Sequence, residues 1–141
     1  MGLKVFVDSD VVISSIISSK GAAFLLLNEI DNLELFLSNV SLKELKLVIE
    51  RFHLDKQKLN DLVNKRFTKV NLKETTKELK KTFEDYVLDI NDAHIVAGAA
   101  RSKTQFLISY NTRHFKADKL KEDFKIILTT PANLIQYLRS S

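Results

Sequence analysis

The 141-residue chain has no cysteine and no tryptophan, a single proline and only three glycines. Without cysteine there are no disulfides and no thiolate metal site, which fits a reducing compartment, and a cytoplasmic location is expected. Gly2, Gly21 and Gly98 stand far apart. Accordingly neither the dinucleotide fingerprint G-x-G-x-x-G nor the phosphate loop G-x-x-x-x-G-K-[ST] occurs, and there is no G-x-S-x-G nucleophile elbow. No apolar run approaches the ~20 residues of a membrane-spanning helix, and the first residues are too polar for a secretory signal, so no membrane partner is expected. Charge of one sign is also scarce: 22 basic against 18 acidic residues leave a net +4. That excess is weak evidence for a polyanionic partner unless several acids are gathered in one pocket, which would leave the rest of the surface more basic. Repeats, low-complexity tracts and linkers are missing, so residues 1–141 read as one domain.

What is present begins with Val5-Phe6-Val7, three consecutive β-formers that suit a strand buried on both faces. The run ends on Asp8 and reaches a second acid, Asp10, just before Val11-Val12-Ile13 and Ile16-Ile17, which read as a short buried helix. A helix is expected from Gly21 to Ile30, and a strand over Leu33–Leu37. Ser41 to Phe52 forms an amphipathic helix with Leu42, Leu45, Val48, Ile49 and Phe52 on one face. Asp55 can cap the next helix, which carries Leu59, Leu62, Val63 and Phe67. A strand over Lys69–Leu72, a charged helix over Glu74–Tyr86 and a small-residue helix over Asp89–Lys103 follow. Phe106-Leu107-Ile108 and Ile126-Ile127-Leu128 read as strands, and Thr130-Pro131 opens the terminal helix. Strands alternating with helices imply an α/β fold, a parallel sheet with helices around it; the pattern leaves the strand order open.

In such a fold, chemistry gathers at the carboxyl ends of the strands. Asp8 and Asn111 follow two buried strands and should emerge on one edge, where the first turns holding Glu44 and Asp92 also lie. Each has a plainer reading beside the functional one. Asp8 could accept hydrogen bonds from the free amides of the next helix. Glu44 completes a capping box with Ser41. Asp92 suits the positive end of a helix dipole, and Asn111 is a common turn residue. Asp92 weakens its own plain reading, because Ile95, Val96 and Ala99 place it over a buried face. Carboxylates brought together repel unless a cation joins them, and oxygen-only ligands favour Mg²⁺ or Mn²⁺. His53, His94 and His114 show no paired spacing, which argues against zinc; His94 also falls opposite Asp92 on the helix, and all three read as surface or packing residues.

The segments VFVDSDVVIS, SLKELKLVIERF, DAHIVAGAA and FLISYNTRHF, in this order and spacing, resemble the PIN-domain ribonucleases, and more narrowly the VapC-type toxins of prokaryotic toxin–antitoxin pairs. The resemblance covers nearly the whole chain. It implies a PIN-like three-layer sandwich with a central parallel sheet and helices on both faces. It also implies metal-dependent hydrolysis of RNA phosphodiester bonds by a catalytic quartet, Asp8, Glu44, Asp92 and Asn111. Asp8, Asp92 and Glu44 would be the ligands of Mg²⁺ or Mn²⁺. Ser109 matches a small hydroxyl residue before the fourth site, and Asp10 stands where the family often has Asn or Ser. The partners implied are an RNA substrate, a small antitoxin and a second copy in a homodimer. Arg113, Lys116 and Lys119, with Lys121 and Lys125 beyond them, are candidates for the RNA backbone, or else a solvated charged face.

Two other readings compete. Asp8-Ser9-Asp10-Val11-Val12 also fits the D-x-D-x-[TV] motif of haloacid-dehalogenase-type phosphatases, with Asp8 as nucleophile and Asp10 as general acid. In that reading Glu44 has no role. The other is a catalytically degenerate PIN-like module that only binds.

Overall fold

The computed structural model describes residues 2–140. Five strands form one parallel sheet in the order β3-β2-β1-β4-β5: β1 Leu3–Val7, β2 Leu33–Ser38, β3 Phe67–Val70, β4 Phe106–Ile108 and β5 Ile127–Thr129. The most apolar strands take the middle. Val5 of β1 lies opposite Leu35 of β2 on one side and Phe106 of β4 on the other. Because side chains alternate along a strand, each central strand feeds two cores. Val5, Val7, Leu35, Leu37, Phe106 and Ile108 face one helical layer. Phe6 and Leu107 face the other.

The first layer holds α1 Ser9–Ile17, α2 Ala22–Phe24, α3 Asn39–Arg51, α4 Lys56–Arg66 and α8 Pro131–Arg139. The second holds α5 Thr76–Phe83, α6 Ala93–Arg101 and α7 Ala117–Phe124. Together they make the expected three-layer α/β sandwich. No single helix among the described residues is long and apolar enough to cross a membrane.

Local chemistry explains where the elements depart from the sequence expectations. The helix expected from Gly21 to Ile30 is α only as far as Phe24 and continues as one π-helical stretch, Leu25–Glu29. The helix expected at Ser41 starts at Asn39, because the Ser38 hydroxyl at the end of β2 accepts the Ser41 N–H at 3.0 Å. Strand β3 lies earlier than Lys69–Leu72. Leu72 is withdrawn from the sheet by Asn39, whose side chain donates to its carbonyl and accepts its N–H at 3.1 and 2.8 Å. A capping box between Thr75 and Glu78 starts α5 after Glu74, which instead pairs with Arg101. The segment over Asp89–Lys103 opens as a 3-10 turn, Ile90–Asp92, and becomes α-helical only from Ala93 to Arg101. Helix α7 has no counterpart in the sequence reading, where its charged residues read as a basic cluster.

Helix α6 is packed so tightly that Ala93 to Ala99 are all buried. Gly98 makes the approach to β1 possible: a Cβ there would lie 2.4 and 2.5 Å from two atoms of the Phe6 ring. Phe6 is wholly buried and cannot swing into solvent. Gly98→Ala should therefore destabilise the protein by about 1–3 kcal/mol of overpacking, beyond the ~0.5–1 kcal/mol that alanine returns in helix propensity. Urea denaturation of Gly98→Ala, Phe6→Leu and the double variant provides the check. The double variant should be less destabilised than the two single effects added together, since leucine vacates the ring position.

Candidate active site

The strand order fixes where a site can form. The chain winds outward from β1 through β2 to β3, then returns to the other side of β1 to lay down β4 and β5. Crossovers thus leave β1 and β4 in opposite directions, and in open α/β sheets the crevice that binds ligands lies beyond the carboxyl ends at such a point. Asp8 follows β1 and Ser109 follows β4, and the Asp8 N–H donates to the Ile108 carbonyl at 3.0 Å.

Four of the sequence-predicted residues meet here. The Asp8 carboxylate accepts the Ser109 hydroxyl at 2.8 Å and the Ser9 N–H at 2.7 Å, so its plain role as the cap of α1 and its place in the cluster are both real. Asp10, in the first turn of α1, accepts the Tyr110 N–H at 3.0 Å and the Asn111 side-chain amide at 3.2 Å. Its Oδ2 lies 3.4 Å from the Ser109 hydroxyl. Ser109 is wholly buried, and its oxygen accepts the Asn111 N–H at 2.9 Å. Asp10 and Ser109, which the sequence offered only as accessories, are therefore the connectors of the group.

Electrostatics follow from this crowding. Burial, then the neighbouring Asp10 carboxylate, push the Asp8 carboxyl up to about 7, against the hydrogen bonds from Ser109 and Ser9; Asp92 adds a smaller push in the same direction. Burial also raises Asp10, opposed first by the Tyr110 N–H. One Asp10 oxygen, Oδ1, is buried without a hydrogen-bond partner.

Asp92 and Glu44 stand at the side of this cluster. Asp92 ends the 3-10 turn before α6, with Asp89 capping that turn by accepting the Asn91 N–H. Its carboxylate lies 3.4 Å from His114 Nδ1. Burial and then Asp89 raise its pKa, against the pull of His114. Glu44 is the sixth residue of α3, too far along for a capping box; Ser38 is the cap and Ser41 is buried inside the helix. The half-exposed Glu44 carboxylate lies 3.0 Å from His94 Nε2. His94 is buried, on the side of α6 that meets α3 rather than at the surface. Two of the histidines set aside by their spacing are thus partners of the acids, a pairing between distant segments that leaves no mark in local sequence. Arg113, Lys116 and Lys119 are exposed on the turn after Asn111 and on α7.

The donor set around Asp8 is made of oxygens, with two carboxylates crowded against each other and one oxygen unpartnered, which fits a hard divalent cation. As the side chains stand, no three acid or imidazole groups converge closely enough to hold a metal ion among the described residues. Glu44 in particular is turned to His94 rather than grouped with Asp8 and Asp92.

The Asp8 shift has a direct consequence for stability. The folded protein binds the Asp8 proton more tightly than the unfolded chain, whose carboxyl titrates near 3.8. Its contribution is therefore most favourable below pH ~4 and is lost as pH rises toward about 7, where the charge is forced into the fold. In EDTA at pH 8, Asp8→Asn should melt above the wild type, and the gap should shrink by pH 5; calorimetry at both pH values reads it. Asp10→Ala removes the acceptor of the Tyr110 N–H, so amide exchange at Tyr110 should accelerate at least tenfold while Phe106–Ile108 stay protected.

The PIN domain family model matches residues 4–113, a span that includes Asp8, Asp10, Glu44, Asp92, Ser109 and Asn111. No curated protein matches the sequence. Among solved structures, the chain is similar to VapBC2 from Rickettsia felis bound to a DNA fragment from its promoter. The TM-score there is 0.62 at 15% identity, over 91% of this chain and 98% of that one. It is similar also to a toxin–antitoxin complex from Klebsiella pneumoniae, with a TM-score of 0.61 at 19% identity over 90% and 97% of the two chains. At such identities these structures speak for the fold alone, and the family model carries the assignment: the chain belongs to the PIN domain family.

Proposed function

We propose that the protein is an endoribonuclease that hydrolyses RNA phosphodiester bonds with the help of Mg²⁺ or Mn²⁺. The observation that carries this reading is the knot of Asp8, Asp10, Ser109 and Asn111 in the crevice beyond β1 and β4. Asp8, Asp10 and Asp92 are the oxygen donors we assign to the cation, with Glu44 beside them. A divalent ion bound there lowers the pKa of a water and offsets charge on the phosphate.

The remaining tasks fall to the chain itself. Ser109 fixes the Asp8 carboxylate through its hydroxyl, and Asp10 holds the Tyr110–Asn111 turn so that the Asn111 side chain stays at the crevice. Asp92 and Glu44, each beside an imidazole, can orient or take up a proton from an attacking water. Arg113, Lys116 and Lys119 are assigned to the RNA backbone just past that turn, where cations lower the cost of bringing a polyanion to an acidic site.

The toxin–antitoxin setting of both similar structures supports a second part of the proposal. The chain would act as the toxin of such a pair in the cytoplasm, as a homodimer restrained by a small antitoxin. The phosphatase alternative finds no support in the site. It needs Asp10 as a mobile general acid, and here Asp10 anchors the loop after β4.

Labelled RNA incubated with Mg²⁺ or Mn²⁺ tests the activity. Cleavage should stop in EDTA, and Asp8→Asn should reduce the rate by at least 10²-fold with the fold intact, because it removes charge and keeps shape. Asp10→Asn keeps an acceptor for the Tyr110 N–H but withdraws a charge from the cation, so it should lower the rate less than Asp8→Asn. Cleavage that persists in EDTA would refute the metal-dependent reading. Absent cleavage together with lost divalent-metal binding would point to the degenerate binding module.

A further inference from the structure

Next to Glu44 and His94 the surface opens into a cleft of about 300 Å³ between α3, α5 and the turn Ile90–Asp92. Its lining combines three kinds of chemistry. Lys43 on α3 and Lys80 on α5 bring a cation from each wall. Leu47 and Ile90 add apolar surface that stays 61% and 48% exposed. Glu44 and His94, 3.0 Å apart, complete it, and His94 is two residues from Asp92 in the acid site.

We propose that this cleft seats one nucleotide of the RNA strand beside the scissile phosphate, with Lys43 and Lys80 on its phosphate and Leu47 and Ile90 against its sugar and base. The inference rests on the RNA-cleaving reading and adds where the strand lies. Charge complementarity selects the occupant. Two lysines lining one small cleft from different helices suit a phosphate, and a base offers flat faces that gain from apolar contact while its edges stay wet. The size also fits a small anionic unit. A second copy of the chain would bury roughly 800 Å² on each side, and here the two exposed apolar side chains share the opening with cations. Glu44 lines this cleft, with buried His94 3.0 Å from its carboxylate.

Binding can be read apart from cleavage. Anisotropy of a labelled single-stranded RNA, with the full chain in EDTA, should show about tenfold weaker binding for Lys43→Gln/Lys80→Gln. The log–log salt slope should fall by about 0.7, the value for the loss of one phosphate contact on a single strand. Lys56→Gln/Lys58→Gln on α4 removes the same charge away from the cleft and should change neither. Equal losses in the two variants, or none in the first, overturn the inference. Leu47→Ser should also weaken binding; if it instead shifts the sedimentation of the protein while RNA affinity holds, the cleft belongs to a protein contact and the inference is wrong. A cleavage assay with Mn²⁺ separates this claim from the one beneath it. A wild type that cleaves RNA with a KM unaltered by Lys43→Gln/Lys80→Gln refutes the cleft alone. A wild type that binds through these lysines but never cleaves refutes the nuclease reading alone, and one that does neither refutes both.

Discussion

The hydrogen bond from the Ser109 hydroxyl to Asp8 is the interaction on which the site depends. It spans the two central strands at the one place where the winding of the sheet reverses. Ser109 is wholly buried, so its single proton has few alternatives, and its oxygen is already occupied by the Asn111 N–H. The hydroxyl therefore fixes the Asp8 carboxylate and the turn after β4 together. Asp10 repeats the tie from α1, through the Tyr110 N–H and the Asn111 amide. The resulting knot brings two carboxylates close enough that burial and mutual repulsion lift Asp8 to about 7. The sheet, held by apolar packing on both faces, supplies the free energy that keeps this strained arrangement in place.

The same packing decides what can approach the knot. Helix α6 lies against Phe6 through Gly98, which sets Asp92 at its start and His94 at its first turn close to β1. His94 then meets Glu44, so α3 is joined to the acid site across the end of the sheet by an imidazole and not by its own cap. Four acids from three segments are placed by one strand order and two close helix packings.

Much of this was written locally. Val5-Phe6-Val7 and Phe106-Leu107-Ile108 are continuous apolar runs, and they are the central strands because only the middle of a parallel sheet is dry on both faces. Asp8 and Asn111 could be placed from those runs alone. Other features depend on partners far along the chain. Ser38 lies just past the strand expected over Leu33–Leu37, and its hydroxyl starts α3 and so removes Glu44 from the first turn. Leu72 carries strand-like chemistry, but Asn39 captures its backbone. Helix α7 was hidden because Ala117 to Phe124 buries little beyond Leu120, and a mostly charged helix looks like any solvated stretch. The strand order has no local signature at all, since loop closure between distant strands is decided by which faces pack.

The histidines show why spacing was a poor guide to their role. Metal-binding histidines are sought as pairs on one helix face, and by that test His94 and His114 are unrelated. In the fold each lies within ion-pair distance of a different acid, His94 of Glu44 and His114 of Asp92. Four carboxylates left to crowd one point would repel one another and raise every pKa among them. Here the charge is divided. Asp8 has the Ser109 hydroxyl, Asp10 the amides of the β4 turn, Asp92 and Glu44 an imidazole each. Asp8 and Asp10, which have no imidazole beside them, press on each other, and a cation arriving there would relieve that pair. The imidazoles thus do more than fill space. By sitting within 3.0 Å of Glu44 and 3.4 Å of Asp92 they give those two carboxylates contacts of their own, apart from the pair that Ser109 holds at the strand ends.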